Sequence, residues 1–269
     1  MAPDDTYTHG HHASVLRSHR RRTVENSAGY LVAHLRPGST VLDIGCGPGT
    51  ITLGLAARVA PGRVVGIDRE PAPLTAARTA ADEKGLQNVD FAVGDAYALD
   101  FADDRFDIVH AHQVLQHLTD PVAALVEMHR VCRPGGLVAV RDADYAAMTW
   151  HPANPRLDRW LDIYHRVARN NDAEPDAGRL LKSWTLAAGF TGLTCTASAW
   201  CYATPDERDW WADTWAQRVT ESALAEQAVA AGISTPDELA DIAAGWQAWA
   251  DAPDAWFAVL NAEVVAVAP

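Results

Sequence analysis

The 269-residue chain reads as an α/β protein built on a mostly parallel, doubly wound sheet of seven strands. Two observations predict this. Up to residue 142, short apolar runs alternate with segments of helical periodicity. The first of these runs, Val41 to Ile44, leads directly into Gly45-Cys46-Gly47-Pro48-Gly49-Thr50, a tight turn that opens a helix.

The elements follow in order. Residues 12–22 and Thr23 to Leu35 are predicted helical, the second with Val24, Ala28, Leu31, Val32 and Leu35 on one face and Pro37-Gly38 as its stop. Strand one is Val41 to Ile44, and Thr50 to Val59 a helix ended by Pro61-Gly62. Arg63 to Asp68 is a strand, Pro71 to Lys84 a helix stopped by Gly85, and Val89 to Val93 the third strand. Phe106 to His112 is the fourth strand, and Pro121 to Cys132 a helix opened by Thr119 or Asp120. Arg133-Pro134-Gly135-Gly136 breaks it before a fifth strand, Leu137 to Arg141.

Beyond residue 142 the pattern changes. Pro155 to Asn170 and Arg179 to Ala188 read as helices, Leu193 to Tyr202 as a strand. The acidic, Ala- and Trp-rich stretch Pro205 to Ala252 predicts two or three helices. Thr204-Pro205-Asp206-Glu207 and Thr235-Pro236-Asp237-Glu238 each combine an N-cap, an N1 proline and an acidic first turn. Ala255 to Val267 closes as the last strand. The expected organisation is an N-terminal helical lid segment (1–36), a sheet domain (37–204 with 254–269) and a helical insertion (205–253) over an acceptor site.

Composition narrows the partners. With 22 basic against 35 acidic residues, the formal net charge of −13 disfavours nucleic acid, whose phosphates need clustered Lys and Arg. The four cysteines form no C-x-x-C pair and suit a reducing compartment. The acidic start lacks a signal-peptide core, and no run is long enough to span a membrane. A cytoplasmic protein is expected.

The glycine turn is the first chemical clue. Without Cβ atoms its backbone can lie flush against a flat ligand. Asp68 ends the second strand, where an acid accepts both hydroxyls of a ribose, and Asp95 ends the third, within reach of an exocyclic amine. The dinucleotide fingerprint G-x-G-x-x-G is not met; the spacing here is G-x-G-x-G followed by Thr50.

At these positions the chain resembles the class I S-adenosylmethionine-dependent methyltransferases. Asp43 to Gly49, Val65 to Asp68, Gly94-Asp95-Ala96, Phe106 to Val109 and Arg133 to Leu137 match that family's motifs in order over about residues 23–142. The resemblance implies a Rossmann-like fold with a helical lid inserted before the last strand. It implies S-adenosyl-L-methionine as cofactor and S-adenosyl-L-homocysteine as product. Gly45, Gly47 and Gly49 would shape the loop under the methionine and ribose, and Asp43 would orient that loop or accept from the amino group. Asp68 would hold the ribose, Arg69 would flank the adenine, Asp95 and Ala96 would bind its edge, and His112 and Gln113 would lie by the methionine end. Tyr7, Arg22 and Cys46 complete the implied cofactor set.

Within that superfamily the chain looks like the ubiquinone-biosynthesis type. The Asn/Asp-Pro-Pro-Tyr motif of amino-directed nucleic-acid and glutamine enzymes is replaced by His110-Ala111-His112-Gln113-Val114, which points to a small-molecule acceptor. The segments Tyr7 to His19 and Arg22 to Ser27 are similar to a natural-product subgroup that includes gliotoxin bis-thiomethyltransferase and cyclodipeptide N-methyltransferases. An S, N or O acceptor remains open. So does a protein that binds the donor without transferring its methyl group.

Proton-transfer candidates are His12, His112, His117 and Asp144, with His11, His110 and Asp142 beside them. His9, His11 and His12 are too irregularly placed to define a metal site, and none is expected. Seven tryptophans in the last seventy residues offer two readings, core packing of the helical cap or an aromatic pocket for an apolar or aromatic acceptor.

Overall fold

The computed structural model describes residues 5–8, 10 and 13–269. Helix α1 spans Ala13–Arg20 and α2 only Val24–Ser27. The single helix expected over Thr23 to Leu35 is divided. A capping box between Thr23 and Asn26 starts α2, Ala28 leaves helical geometry at φ −135°, and a 3-10 turn, Gly29–His34, follows.

The alternating core comes next: β1 (Val41–Ile44), α3 (Thr50–Val59), β2 (Val64–Asp68), α4 (Pro71–Glu83), β3 (Val89–Val93), β4 (Phe106–His112), α5 (Pro121–Val131) and β5 (Cys132–Ala143). Then follow β6 (Thr149–His151), α6 (Pro155–Asn170), α7 (Leu181–Ala187), β7 (Thr191–Tyr202), α8 (Pro205–Glu221), α9 (Ala223–Ala230), α10 (Pro236–Ala250) and β8 (Trp256–Val267). Three helices therefore fill the insertion. Thr204 and Thr235 accept from the backbone N–H of Glu207 and Glu238, capping α8 and α10 as their sequences predict.

The sheet runs β3-β2-β1-β4-β5-β8, with β7 on the outer side of β8. Strands β1 to β5 pair in parallel, and β8 runs antiparallel to both β5 and β7. The sheet has eight strands, one more than expected. The addition is β6, which pairs with Trp256 to Ala258 on the side of β8 that β5 occupies further along. Asp144 ends β5 by capping a turn at Tyr145–Ala147, and the edge resumes at Thr149. A three-residue strand leaves no periodicity to read in the sequence. Strand β5 also starts earlier than expected: Gly135, at φ +73°, keeps its N–H on Ala268 instead of breaking the strand.

Strand order turns outward in both directions from the β1–β4 pair, so their C-terminal ends flank a crevice. The tryptophans divide between the two readings. Trp160 of α6 packs on Trp215 and Trp246 at centroid distances of 4.4 and 4.9 Å, and Trp249 and Phe257 join them in one buried cluster. Trp200, Trp210 and Trp211 face the crevice instead.

Candidate active site

A cleft of about 820 Å³ lies over the switch point. Its floor is the glycine turn and the ends of β2 and β4; its walls come from the N-terminal segment and from β7 and α8. The turn is rigid for identifiable reasons. Gly45 sits at φ +66°, and a Cβ there would lie 2.4 Å from Val114 Cγ2. Gly49, at φ +77°, caps α3, and a Cβ there would lie 2.9 Å from Ala77 Cβ and 3.0 Å from the Phe91 ring. Gly47 N–H donates to Asp68 Oδ2 at 2.8 Å, and Glu70 N–H to Asp68 Oδ1 at 3.0 Å. Asp68 lines the cleft beside the turn it fixes.

Asp43 is 2% exposed. Thr52 Oγ1 donates to its Oδ2 at 2.6 Å, and His110 Nδ1 lies 2.7 Å from its Oδ1. Its charge is thus absorbed within the sheet beneath the turn. His110 is fully buried and stands outside the cleft wall, although it shares a strand face with His112. Cys46 fills the turn as a half-buried thiol. Burial, reinforced by Asp43 and Asp68, pushes its ionisation well above the ordinary range, which rules out an activated nucleophile.

The N-terminal segment lies across the cleft. Arg69 Nη1 donates to Asp5 O at 3.0 Å, while the Asp5 carboxylate accepts from Thr119 N and Tyr97 Oη. Asp95 and Ala96 depart from expectation, since neither lines the cleft. The Asp95 carboxylate turns back onto the N–H of Tyr97 at 2.9 Å. Tyr7 packs edge-on against His117, centroids 4.8 Å apart, and desolvation pushes its hydroxyl up to about 12. Arg22 Nη2 donates to Gln113 Oε1 at 3.2 Å, and Gln113 Nε2 to Asn261 Oδ1 at 3.0 Å. The Arg22 guanidinium lies 5.7 Å from the Trp200 ring, and desolvation lowers it to about 10.

His112 is 5% exposed, and neither ring nitrogen has a hydrogen-bond partner among the described residues. Burial and the charges of Arg22 and Arg141 hold it far below the usual imidazole range. His117 is lowered to about 3 by burial and Arg22, and its Nε2 stands 3.0 Å from Gln116 Nε2. Both rings are therefore neutral at physiological pH and are weak bases. Asp144 is the clearest correction. It lies outside the cleft wall, bound by Arg179 Nε and Nη2 at 2.7 and 2.6 Å while it caps the turn after β5. It is an ion-paired structural residue. His12, with His9 and His11, lies outside the described residues.

Arg218, Tyr145 and Tyr202 line the cleft and were not singled out from the sequence. For Arg218 a signal existed: it follows Trp211 and Trp215 by seven and three positions, which places a cation on their buried helix face, as Arg208 is at the other end.

A glycine turn at a switch point, an acid ending β2 and a walled chamber beyond define an adenosyl-binding α/β enzyme. Residues 35–210 match the family described as Methyltransferase domain. A methyltransferase of Schizosaccharomyces pombe is 36% identical over 225 residues, 80% of each chain. A ubiquinone/menaquinone biosynthesis C-methyltransferase of Shewanella frigidimarina is 37% identical over 197 residues, 68% of this chain and 76% of that one. The fold is shared with a methyltransferase structure from Bacillus halodurans (TM-score 0.57, 22% identity, 89% and 96% covered). It is also shared with the [4+2]-cyclase SpnF (0.51, 24%, 87% and 79%). The chain belongs to the methyltransferase-domain family, as a class I S-adenosylmethionine-dependent enzyme.

The residues present fit that cofactor: a glycine turn with no Cβ facing the ligand, Asp68 lining the cleft beside it, and Arg22 with no carboxylate partner among the described residues. No helix among the described residues is long and apolar enough to cross a membrane.

Proposed function

We propose that the enzyme methylates a planar small molecule in the chamber between β7, α8 and the N-terminal segment. The observation that carries this is continuity: the glycine turn and Asp68 share one cleft with Trp200, Tyr202, Trp210 and Trp211. The quinone-directed relative supports a flat acceptor, since such rings stack on aromatic walls.

The donor-side assignment is Gly45, Gly47, Gly49 and Asp68 for the adenosyl portion, with Arg22, Tyr7, His112 and Gln113 around the methionine portion. Arg69 and Asp5 close over the adenine end. When bound, S-adenosylmethionine supplies an already activated methyl group. The protein's part is alignment and exclusion of water, which contributes roughly 7–11 kcal/mol in favourable cases. Two neutral histidines accept hydrogen bonds and orient; they do not need to take a proton from an acceptor that is already ionised.

The test is a screen of thiols, cyclic dipeptides, phenols and quinones with methyl-labelled donor. Appearance of S-adenosylhomocysteine with equal label in the acceptor supports methyl transfer. Donor binding without either product favours a second reading, a donor-binding catalyst that leaves the methyl in place, which the fold shared with a cyclase keeps in view.

A further inference from the structure

Buried arginines are normally paired with acids, and Arg141 conforms: it is 1% exposed and lies 3.2 Å from Glu263. Arg218 does not. It is 5% exposed on α8. Its Nη2 donates to Ser14 O and Ser18 Oγ, both uncharged, and its Nε has no hydrogen-bond partner among the described residues. Among the described residues it makes no ion pair, in a chain with 35 acidic residues. Its guanidinium lies 5.0 Å from the Trp215 ring and forms part of the cleft wall beside Tyr7, Tyr145 and Tyr202. Burial pushes all three hydroxyls up, so they stay neutral and leave the cation uncompensated. An unpaired buried charge is strongly unfavourable, and the free protein holds one at the chamber wall.

We infer that Arg218 anchors an oxyanion, a carboxylate or ionised phenol, on a planar aromatic acceptor. This rests on the methyltransferase reading and names its substrate class. Arg22, the other cation beside Tyr7 and Tyr145, is tied to Gln113 at the tip of β4. The aromatic wall takes the ring, and Arg218 takes the charge that neither the apolar wall nor the neutral tyrosines could hold. Such an acceptor also suits a chamber whose two histidines stay unprotonated.

The probe pair is 2-naphthoate and neutral 2-naphthamide, titrated by tryptophan fluorescence against the full chain saturated with S-adenosylhomocysteine. Naphthoate should bind at least about tenfold more tightly. Arg218→Gln should erase that preference while leaving S-adenosylhomocysteine affinity unchanged, and Arg218→Lys should keep part of it. Equal affinities in the wild type, or a preference that survives Arg218→Gln, would overturn the proposal. Loss of S-adenosylhomocysteine affinity in Arg218→Gln would overturn it too, by assigning Arg218 to the donor. If Arg218→Gln does not fold, the wild-type pair and Arg218→Lys still decide. A wild type that binds no S-adenosylhomocysteine would instead remove the methyltransferase reading itself.

Discussion

The backbone N–H of Gly47 donates to a carboxylate oxygen of Asp68 at 2.8 Å, so the glycine turn after β1 and the end of β2 form one rigid unit. Asp68 has two functions at once: it fixes the turn and presents acceptors to the cleft. Asp68→Ala should therefore weaken S-adenosylhomocysteine binding by about 1.5–3 kcal/mol, or roughly 10- to 150-fold, as charge-assisted bonds do. Calorimetric titration checks this. Unchanged affinity would remove Asp68 from the donor site.

Gly45→Ala meets two obstacles, a positive φ and a Cβ 2.4 Å from Val114 Cγ2. It should cost about 1–3 kcal/mol of stability and weaken donor binding. Val114→Ala in the same chain should recover the steric part and leave the backbone part. A double-mutant cycle with non-zero coupling is the expected result; strict additivity would mean that the contact is relieved elsewhere.

Asp142 is fully buried and pushed up to about 7, mainly by desolvation. Its Oδ1 accepts from Gln116 N at 3.2 Å, and its Oδ2 has no hydrogen-bond partner among the described residues. Folding thus favours the protonated acid. Well below pH 4 both folded and unfolded chains hold that proton, and its cost is absent; near pH 4 it is still small. Between about pH 4 and 7 only the unfolded chain releases it, and stability declines. Asp142→Asn keeps the Gln116 bond and should raise Tm relative to wild type at pH 8 by about 5 °C, with little gain at pH 4. Paired melting curves at the two pH values measure it. A gain that is equal at both would show that the effect is packing, not ionisation.

His117 has the opposite sign. Its folded value is about 3, below the ordinary 6.5. The neutral ring contributes stability above pH 6.5 that is lost as pH falls toward 3. His117→Gln should flatten this acid limb between pH 6.5 and 4. If acid sensitivity in that window is identical in the variant, another group carries it.

Much of the site was legible in the sequence because it is local. Val41 to Thr50 encodes strand, turn and helix start within ten residues, and Asp68 follows from the strand that ends on it. What failed was long-range. Asp144 is settled by Arg179, thirty-five positions on, and no local pattern announces that partner. Asp95 looked like an adenine ligand by position, yet the next residues turn its carboxylate inward. The insertion read as a lid, whereas Trp215 and Trp246 pack on Trp160, so α8 and α10 share the core with α6. Cutting out 205–252 would expose that core, and single substitutions are the better probe.

Trp211 lines the cleft, stacks on Tyr202 at 4.3 Å and meets Trp215 and Phe257 at 5.8 and 5.7 Å. One indole thus belongs both to the acceptor's surroundings and to the interior. Evolution toward a bulkier or smaller guest at that wall is coupled to heat tolerance, and lineages that switch guests should show compensating changes at 215 or 257. At Trp210, which has no contact with Phe257 among its aromatic neighbours, the guest can change without that debt.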